Sequence, residues 1–459
     1  MRVYIETYGC QMNEYDSELL RSILVEEGHE LVSAAEQADA VLLNTCAVRE
    51  NAHEKIYHRL DDLKGLKRRQ RRRPIVGVLG CMAQNLKKKL FEHPSVNLVI
   101  GPDNYRAISD LLAQAAAGEE RLIDADLSEY ETYEGIAPSR ISGVNAWVAV
   151  MRGCDNFCTF CVVPYTRGRE RSRSPEGIVA EVRRLCALGH PQVTLLGQNV
   201  NSYRHGNFDF ARLILEVADV PGIRRVRFTS PHPKAFPTRL LSAVGSHPRI
   251  CKHIHLPLQA GSDRILERMN RTYRLSEYME LLAKIRDLIP GVSVTTDLIV
   301  GFPGETEQDF LETYRAVEAA RFDAAYVFKY SEREGTIAAR KWKDEVTAEA
   351  KTDRIVRLLD LQRAISLERN RAQIGEILEV LVEEPAERRP GFWCAKSDRN
   401  TTVIFPSEKA APADWVKVHV QEASSSTLYG RPVGIEGPDT GLNERPRMFE
   451  QGEKPSLRK

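Results

Sequence analysis

Short apolar runs alternate with amphipathic stretches through roughly the first 120 residues. VYIETY (3–8), AVLLNT (40–45), IVGVLG (75–80) and NLVIG (97–101) read as strands, and YDSELLRSILVEEGH sets Leu19, Ile23 and Leu24 on one helical face. Strand–helix alternation of this kind predicts a parallel α/β sheet. The segment from Gly118 to Val144 is polar, with Pro138, and reads as a linker. A second alternating series follows, with strands expected at WVAVMRG, VTLLGQN, RVRFTS, HIHLPLQ, VSVTTDLIVGFPG and AAYVFKYS. Strands interleaved with helices predict a partial (β/α)6 barrel, which sets active residues at the C-terminal strand ends. A helix from about Thr347 to Arg371, striped by Ile355, Leu358, Leu359 and Ile365 and stopped near Gly375, closes that series. The period then changes to two. EILEVLVEE, FWCAKS, TTVIFP, WVKVHVQEA and LYGRPV predict a small antiparallel β-barrel. Such barrels often bind nucleic acid, although a purely structural module fits the pattern equally well. The expected organisation is a multidomain α/β chain: an α/β domain at 1–120, a linker at 121–143, the partial barrel at 144–370, the small β-barrel at 371–434 and a disordered tail at 435–459.

The composition, 42% hydrophobic and 28% charged over 459 residues, is that of a soluble globular protein. No run of apolar residues is long enough to span a bilayer, and MRVYIETYGC lacks the layout of a secretion signal. A cytoplasmic protein with no membrane partner is expected. The net charge of +1 points to no partner by itself. Its distribution is uneven: KGLKRRQRRRP (64–74) is strongly basic, and RGRERSRS (167–174) carries Arg167, Arg169, Arg171 and Arg173. Either run could attract RNA or be a solvated helix end. The nine cysteines follow no secreted disulfide pattern, and clustered thiols in a reducing compartment point to metal binding or catalysis.

MRGCDNFCTFC places Cys154, Cys158 and Cys161 in a C-x3-C-x2-C loop after an expected strand. Structural zinc wants a fourth Cys or His, and the next candidates, Cys186 and His190, lie on an expected helix. An iron–sulfur cubane takes one thiolate per iron, so three cysteines leave one iron open to a small molecule. Buried free thiols remain the simpler alternative. Cys10, Cys46 and Cys81 each directly follow an expected strand. In an open parallel sheet the carboxyl ends line one edge, so three separate segments could present three thiols to one crevice. Whether they do depends on strand order, and three unrelated cysteines remain possible at this point. Cys186, Cys251 and Cys394 read as packing. His253 and His255 would share one strand face in a structural role. Trp393 and Trp415 could stack on bases, with core packing as the default.

The C-x3-C-x2-C loop with Phe160 before its last cysteine resembles the signature of radical S-adenosylmethionine enzymes. YGCQMNEYDSE, LLNTCAVRENAHEK, GVLGCMAQ, LLGQNVNSY, FTSPHP, HLPLQAGSDRIL and DLIVGFPGET resemble the methylthiotransferases, and the last strands resemble a TRAM domain. CQMNEYDSE and CAVRENAHEK resemble the branch that makes 2-methylthio-N6-dimethylallyladenosine in tRNA. The resemblance implies two [4Fe-4S] clusters and S-adenosyl-L-methionine as cofactors. Cys154, Cys158 and Cys161 would hold the cluster that chelates and cleaves S-adenosylmethionine, releasing a 5′-deoxyadenosyl radical. Cys10, Cys46 and Cys81 would hold an auxiliary cluster that delivers or carries sulfur. Phe160 would pack near the cofactor's adenine, Gly197, Gln198 and Asn199 would face its methionine part, and Asp297 is a weaker candidate for a polar contact, a capped strand end being the alternative. The implied substrate is tRNA, with N6-isopentenyladenosine at position 37 of the anticodon loop converted from C2–H to C2–S–CH3. A low-potential electron donor and a sulfur source would be needed, and a monomer is expected. The rivals are a methylthiotransferase acting on threonylcarbamoyladenosine or on a ribosomal-protein aspartate, and a non-catalytic, metal-stabilised RNA-binding protein.

Overall fold

The computed structural model describes residues 1–47, 50–69, 74–140, 143–234 and 236–436. The first apolar runs form strands at Arg2–Tyr8, Ala40–Thr45, Ile75–Gly80 and Leu98–Ile100, joined by the short strands Glu30–Leu31 and Leu122–Asp124. Every pairing in this sheet is parallel. Glu30–Leu31 lies at one edge, followed by Arg2–Tyr8, Ala40–Thr45, Ile75–Gly80, Leu98–Ile100 and Leu122–Asp124. The winding therefore reverses at the first strand, and such a switch point opens a crevice at the strands' carboxyl ends. Ala40–Thr45 is buried along its whole length, as a strand covered by helices on both faces must be.

Part of the stretch read as a linker is built into this unit. Leu122–Asp124 extends the sheet, and Tyr133 is buried and stacked on Tyr105 with ring centroids 5.6 Å apart. Backbone pairing and one aromatic ring hold it, so its polar composition gave no sign of packing.

The second series forms the six expected strands. Asn145–Ala149, Gln192–Leu196 and Arg225–Phe228 pair in parallel, as do His253–His255, Ser293–Val300 and Ala324–Lys329. A bridge between Val226 and Ile250 joins the two triplets into a partial barrel. Side chains alternate along Ser293–Val300. Val294, Leu298 and Val300 are buried in the core shared with the outer helices, while Asp297 and Ile299 are only half-buried on the inner face. Helix Ala348–Arg371, N-capped by Thr347, covers the outside of the last strand. The first two strands also meet the N-terminal unit: Ala149 and Leu196 belong to the core that includes Tyr15 and Leu19, and Trp147 packs against it.

The last five strands close a small barrel in the order Ile377–Pro385, Phe392–Ser397, Thr402–Pro406, Thr427–Glu436, Trp415–Ala423. Its pairings are antiparallel except for Thr402–Pro406 with Thr427–Glu436, which is parallel. It docks on the larger barrel through Arg225, which donates to the carbonyls of Lys396 and Glu379 at 2.7 Å, and Arg227, which donates to that of Asp398 at 3.1 Å. Trp415 is buried beneath Arg224 and Arg225, so its ring is core rather than a platform for a base. Trp393 is half-buried and donates to the Ser407 carbonyl. Positions 70–73 of the first basic run and residues 437–459 of the expected tail lie outside the described residues.

Candidate active site between two cysteine triads

Cys10, Cys46 and Cys81 follow three strands that are neighbours in the sheet. Their ends are in step, with Tyr8 opposite Thr45 and Thr45 opposite Gly80. A buried amide network fixes these ends. Asn13 Nδ2 donates to Asn44 Oδ1 and to the Thr45 carbonyl, both at 3.1 Å, and Asn44 Nδ2 donates to Ser17 Oγ at 2.9 Å. Gly80 has φ +87°, and a Cβ there would stand 2.5 Å from Asn44 Oδ1, so only glycine lets the chain turn into Cys81.

The second triad sits on an excursion closed at its base by the antiparallel pair Met151–Arg152 and Arg171–Ser172. Cys154 N donates to the Gly168 carbonyl at 3.2 Å, and Cys161 N to that of Cys158 at 2.9 Å. The segment Arg268–Arg271 cradles the loop. Thr159 N donates to the Met269 carbonyl at 3.0 Å, and Asn270 Nδ2 to the carbonyls of Asn156 and Phe157 at 3.1 Å. Phe157 is held at φ +46°, a conformation a bulky residue adopts only when its surroundings impose it.

The two triads meet. Cys81 packs against Val162, the residue after Cys161, and Ala47, the residue after Cys46. Helix Cys81–Leu86 lies against helix Val163–Thr166. The basic run 167–173 explains the junction, and it is largely neither a solvated face nor an RNA patch. Arg167, Arg171 and Arg173 are buried, and only Arg169 is exposed. Arg167 donates through Nη2 to Asp16 at 2.7 Å and through Nε to Cys81 Sγ at 3.1 Å. Arg152 takes the other oxygen of Asp16 at 2.6 Å. Arg171 pairs with Asp103 at 2.8 Å, and Arg173 with Glu181 at 2.7 Å. Asp16 thus ties the helix that starts beside Cys10 to the residues flanking the other loop.

Both triads have a buried guanidinium on sulfur, since Arg271 donates to Cys158 Sγ at 3.3 Å. A hydrogen bond with Cys46 draws the Cys10 thiol down to about 6, against its desolvation and with help from Arg167. Desolvation pushes Cys154 up to about 11 and Cys161 up to about 12, and it also raises Cys81. Burial without a metal disfavours thiolates, whereas a bound metal takes them deprotonated.

Gly197, Gln198 and Asn199 lie just past strand Gln192–Leu196. Gln198 Oε1 and Asn199 Oδ1 are buried acceptors without a protein donor. Asn199 Nδ2 donates to Glu170 Oε1 at 2.9 Å, and Ser202 Oγ donates to Glu170 Oε2 at 2.7 Å. Phe160 is half-buried against the barrel core. Asp297 is not at a strand end. It sits within Ser293–Val300 on the inner face, 3.2 Å from His255 Nε2. His253 and His255 share that face as expected, both bonding Thr295 Oγ1. Cys251 is buried, and Cys186 and Cys394 are half-buried. The sequence reading missed Asp16, Glu170, Arg271 and His232. Burial lowers the last to about 3, so it stays neutral. Their partners are remote in sequence, and no local spacing marks them.

Residues 2–101 match the family described as uncharacterized protein family UPF0004, residues 148–317 the radical SAM superfamily and residues 371–433 the TRAM domain. A tRNA-2-methylthio-N(6)-dimethylallyladenosine synthase of Prosthecochloris aestuarii is 47% identical over 94% of this chain and 98% of its own length. The chain belongs to the tRNA-2-methylthio-N(6)-dimethylallyladenosine synthase family. The Phocaeicola vulgatus synthase is 44% identical over 94% of this chain and 96% of its own length. In fold, the chain resembles the radical S-adenosylmethionine methyltransferase TsrM of Kitasatospora setae, with a TM-score of 0.56 at 13% identity over 86% of this chain and 80% of that one.

Synthases of this family are radical-SAM enzymes that use two [4Fe-4S] clusters and S-adenosylmethionine. The donor sets here fit such groups. Each triad is made of free cysteines. A cubane held by three thiolates is anionic, and Arg167 and Arg271 place buried cations on sulfur. Arg167 Nη1 is buried without a protein partner beside Cys81. Among the described residues no group of three or more His, Cys, Asp or Glu is set to hold a single metal ion. A cubane differs in spreading its thiolates over several irons.

Gly153 makes the first loop possible. It has φ +78°, and a Cβ there would fall 2.0 Å from the Arg169 carbonyl oxygen. Gly153→Ala is expected to cost at least ~1–3 kcal/mol in strain and to open the loop. Iron content should fall by about half while zinc content stays unchanged, as read by elemental analysis of the anaerobically reconstituted protein.

Proposed function

We propose that this chain converts N6-isopentenyladenosine at position 37 of tRNA to its 2-methylthio derivative, with Cys154, Cys158 and Cys161 holding one [4Fe-4S] cluster and Cys10, Cys46 and Cys81 the other. One observation carries this reading: three cysteines remote in sequence follow neighbouring strands of one sheet, and that sheet edge meets the loop that carries the other three, with Cys81, Ala47 and Val162 in one buried cluster. When bound, the two clusters and two molecules of S-adenosylmethionine would supply a radical for the C2 hydrogen, a sulfur for the same carbon and the methyl group on that sulfur.

The chain's own residues bind and orient. Gln198 Oε1 and Asn199 Oδ1 accept hydrogen bonds from the amino group of S-adenosylmethionine. Gly197 lets the main chain pass close over Met151, whose side chain a Cβ would meet at 2.8 Å, and its backbone faces the methionine part of the cofactor. Phe160 packs beside its adenine, and Asp297, oriented by His255, meets its polar groups. The target base must leave the anticodon stack, which costs a few kcal/mol and least in a single-stranded loop. Phosphate contacts from the small barrel offset that cost and make binding salt-dependent. The enzyme works as a cytoplasmic monomer with a low-potential electron donor and a sulfur source.

The test is anaerobic incubation of reconstituted protein with isopentenylated tRNA, S-adenosylmethionine, sulfide and a reductant, followed by nucleoside analysis. The methylthio nucleoside and 5′-deoxyadenosine are expected together. 5′-Deoxyadenosine alone would refute sulfur insertion, and product only on threonylcarbamoyladenosine would reassign the substrate.

A further inference from the structure

We propose that Tyr326 and Phe328, on the inner face of the last barrel strand, form the platform that receives the displaced adenine and its N6 alkenyl chain. The proposal rests on the tRNA reading above and adds the site that recognises the base.

Successive residues of strand Ala324–Lys329 turn to opposite faces. Val327 packs against the barrel core, and Lys329 Nζ reaches Thr352 Oγ1 on the outer helix at 2.8 Å. Residues 326 and 328 therefore face inward. Register confirms it: Tyr326 lies opposite Asp297 and Phe328 opposite Ile299, the half-buried inner residues of the neighbouring strand. Tyr326 also contacts the His255 ring, with centroids 6.0 Å apart. Yet Tyr326 is 54% exposed and Phe328 48% exposed. Two large rings on the inner face of a barrel are normally among the most buried side chains of a fold. Here they line open space.

The strand's C-terminal end leads to the cysteine loop. Helix Ile337–Lys341 follows shortly, and its Ala338 N donates to the carbonyl of Thr159, between Cys158 and Phe160, at 2.8 Å. The rings thus lie on the barrel's inner face, on the strand that leads into the reaction centre. Their chemistry matches one occupant. A purine offers a π-face to Tyr326, the alkenyl chain offers apolar surface to Phe328, and His255, in contact with the Tyr326 ring, offers a polar edge beside them.

Binding of labelled anticodon stem–loop RNA to the reconstituted holoenzyme, with and without the N6-isopentenyl group, tests this. The wild type should prefer the isopentenylated RNA, and loss of that preference in the wild type would refute the substrate reading and this proposal with it. Tyr326→Ala should weaken both RNAs about tenfold, with recovery in Tyr326→Phe. Phe328→Ala should reduce the preference about fivefold and leave plain RNA unaffected, with recovery in Phe328→Leu. Unchanged affinity and preference in variants with full iron would overturn the platform. If an alanine variant fails to fold, the wild type decides the matter: RNA with a photoreactive adenosine at the target position should cross-link to residues 324–329, and a cross-link confined elsewhere overturns the proposal.

Discussion

Cys81→Ala is expected to remove methylthiolation by more than ~10³-fold, as removing one member of a unit that acts together does, while 5′-deoxyadenosine continues to form. The expectation comes from how the triads are divided. Cys81 is buried between Ala47 and Val162 and receives Arg167 Nε, but it belongs to the strand-end set with Cys10 and Cys46. Alanine keeps the Cβ, so the helix that starts at residue 81 keeps its packing. What is lost is one of three thiolates, and iron should fall from about eight to about four per chain. Cys158→Ala should behave differently and abolish both products, because its thiol belongs to the other loop. The pair of variants also separates the enzyme from a zinc-stabilised RNA-binding protein, in which neither change would affect iron. Methylthio product from Cys81→Ala at more than a tenth of the wild-type rate would rule out the assignment of the strand-end triad.

Much of this site was legible in the sequence because its parts are local. The C-x3-C-x2-C spacing and the strand-then-cysteine pattern at residues 10, 46 and 81 are each visible within about ten residues. The six barrel strands and the five strands of the small barrel were legible for the same reason, since periodicity is a short-range signal. Strand order was not, and it decides whether three strand-end cysteines meet. The arginines at 167, 171 and 173 were misjudged for the opposite reason. Their composition says surface, but their partners Asp16, Asp103 and Glu181 come from other elements, and Asp16 lies 151 positions from Arg167. Leu122–Asp124 and Tyr133 were lost inside a polar stretch, because backbone pairing and one ring leave no periodic trace. The strand around Asp297 was legible, since Ser293–Val300 falls within the expected run VSVTTDLIVGFPG, but the pairing of Asp297 with His255 on the neighbouring strand was not.

Asp16→Asn should destabilise the junction between the N-terminal sheet and the barrel by ~3–5 kcal/mol, the cost of breaking a buried ion pair. Asp16 is fully buried, with one oxygen on Arg152 at 2.6 Å and the other on Arg167 at 2.7 Å. Asparagine has almost the same shape, so packing is kept and the change is one of charge. Two guanidiniums would then share a buried site without the carboxylate that bridges them, and the Asn amide would direct N–H toward one of them. Arg152 also lies over the Tyr133 ring, with its guanidinium carbon 4.6 Å from the centroid, a contact too weak to replace a carboxylate. Against a domain stability of ~5–15 kcal/mol, the loss is a large fraction. Asp155→Asn is the control, because its partner Arg169 is 68% exposed and such surface pairs contribute ~0–1 kcal/mol. Urea unfolding followed by protease sensitivity of residues 1–120 should show the difference. Asp16→Asn should also lower methylthiolation more than 5′-deoxyadenosine formation, because Arg167 loses the anchor that holds its Nε on Cys81. Equal stability of the two variants would mean that the carboxylate does not hold the two triads together.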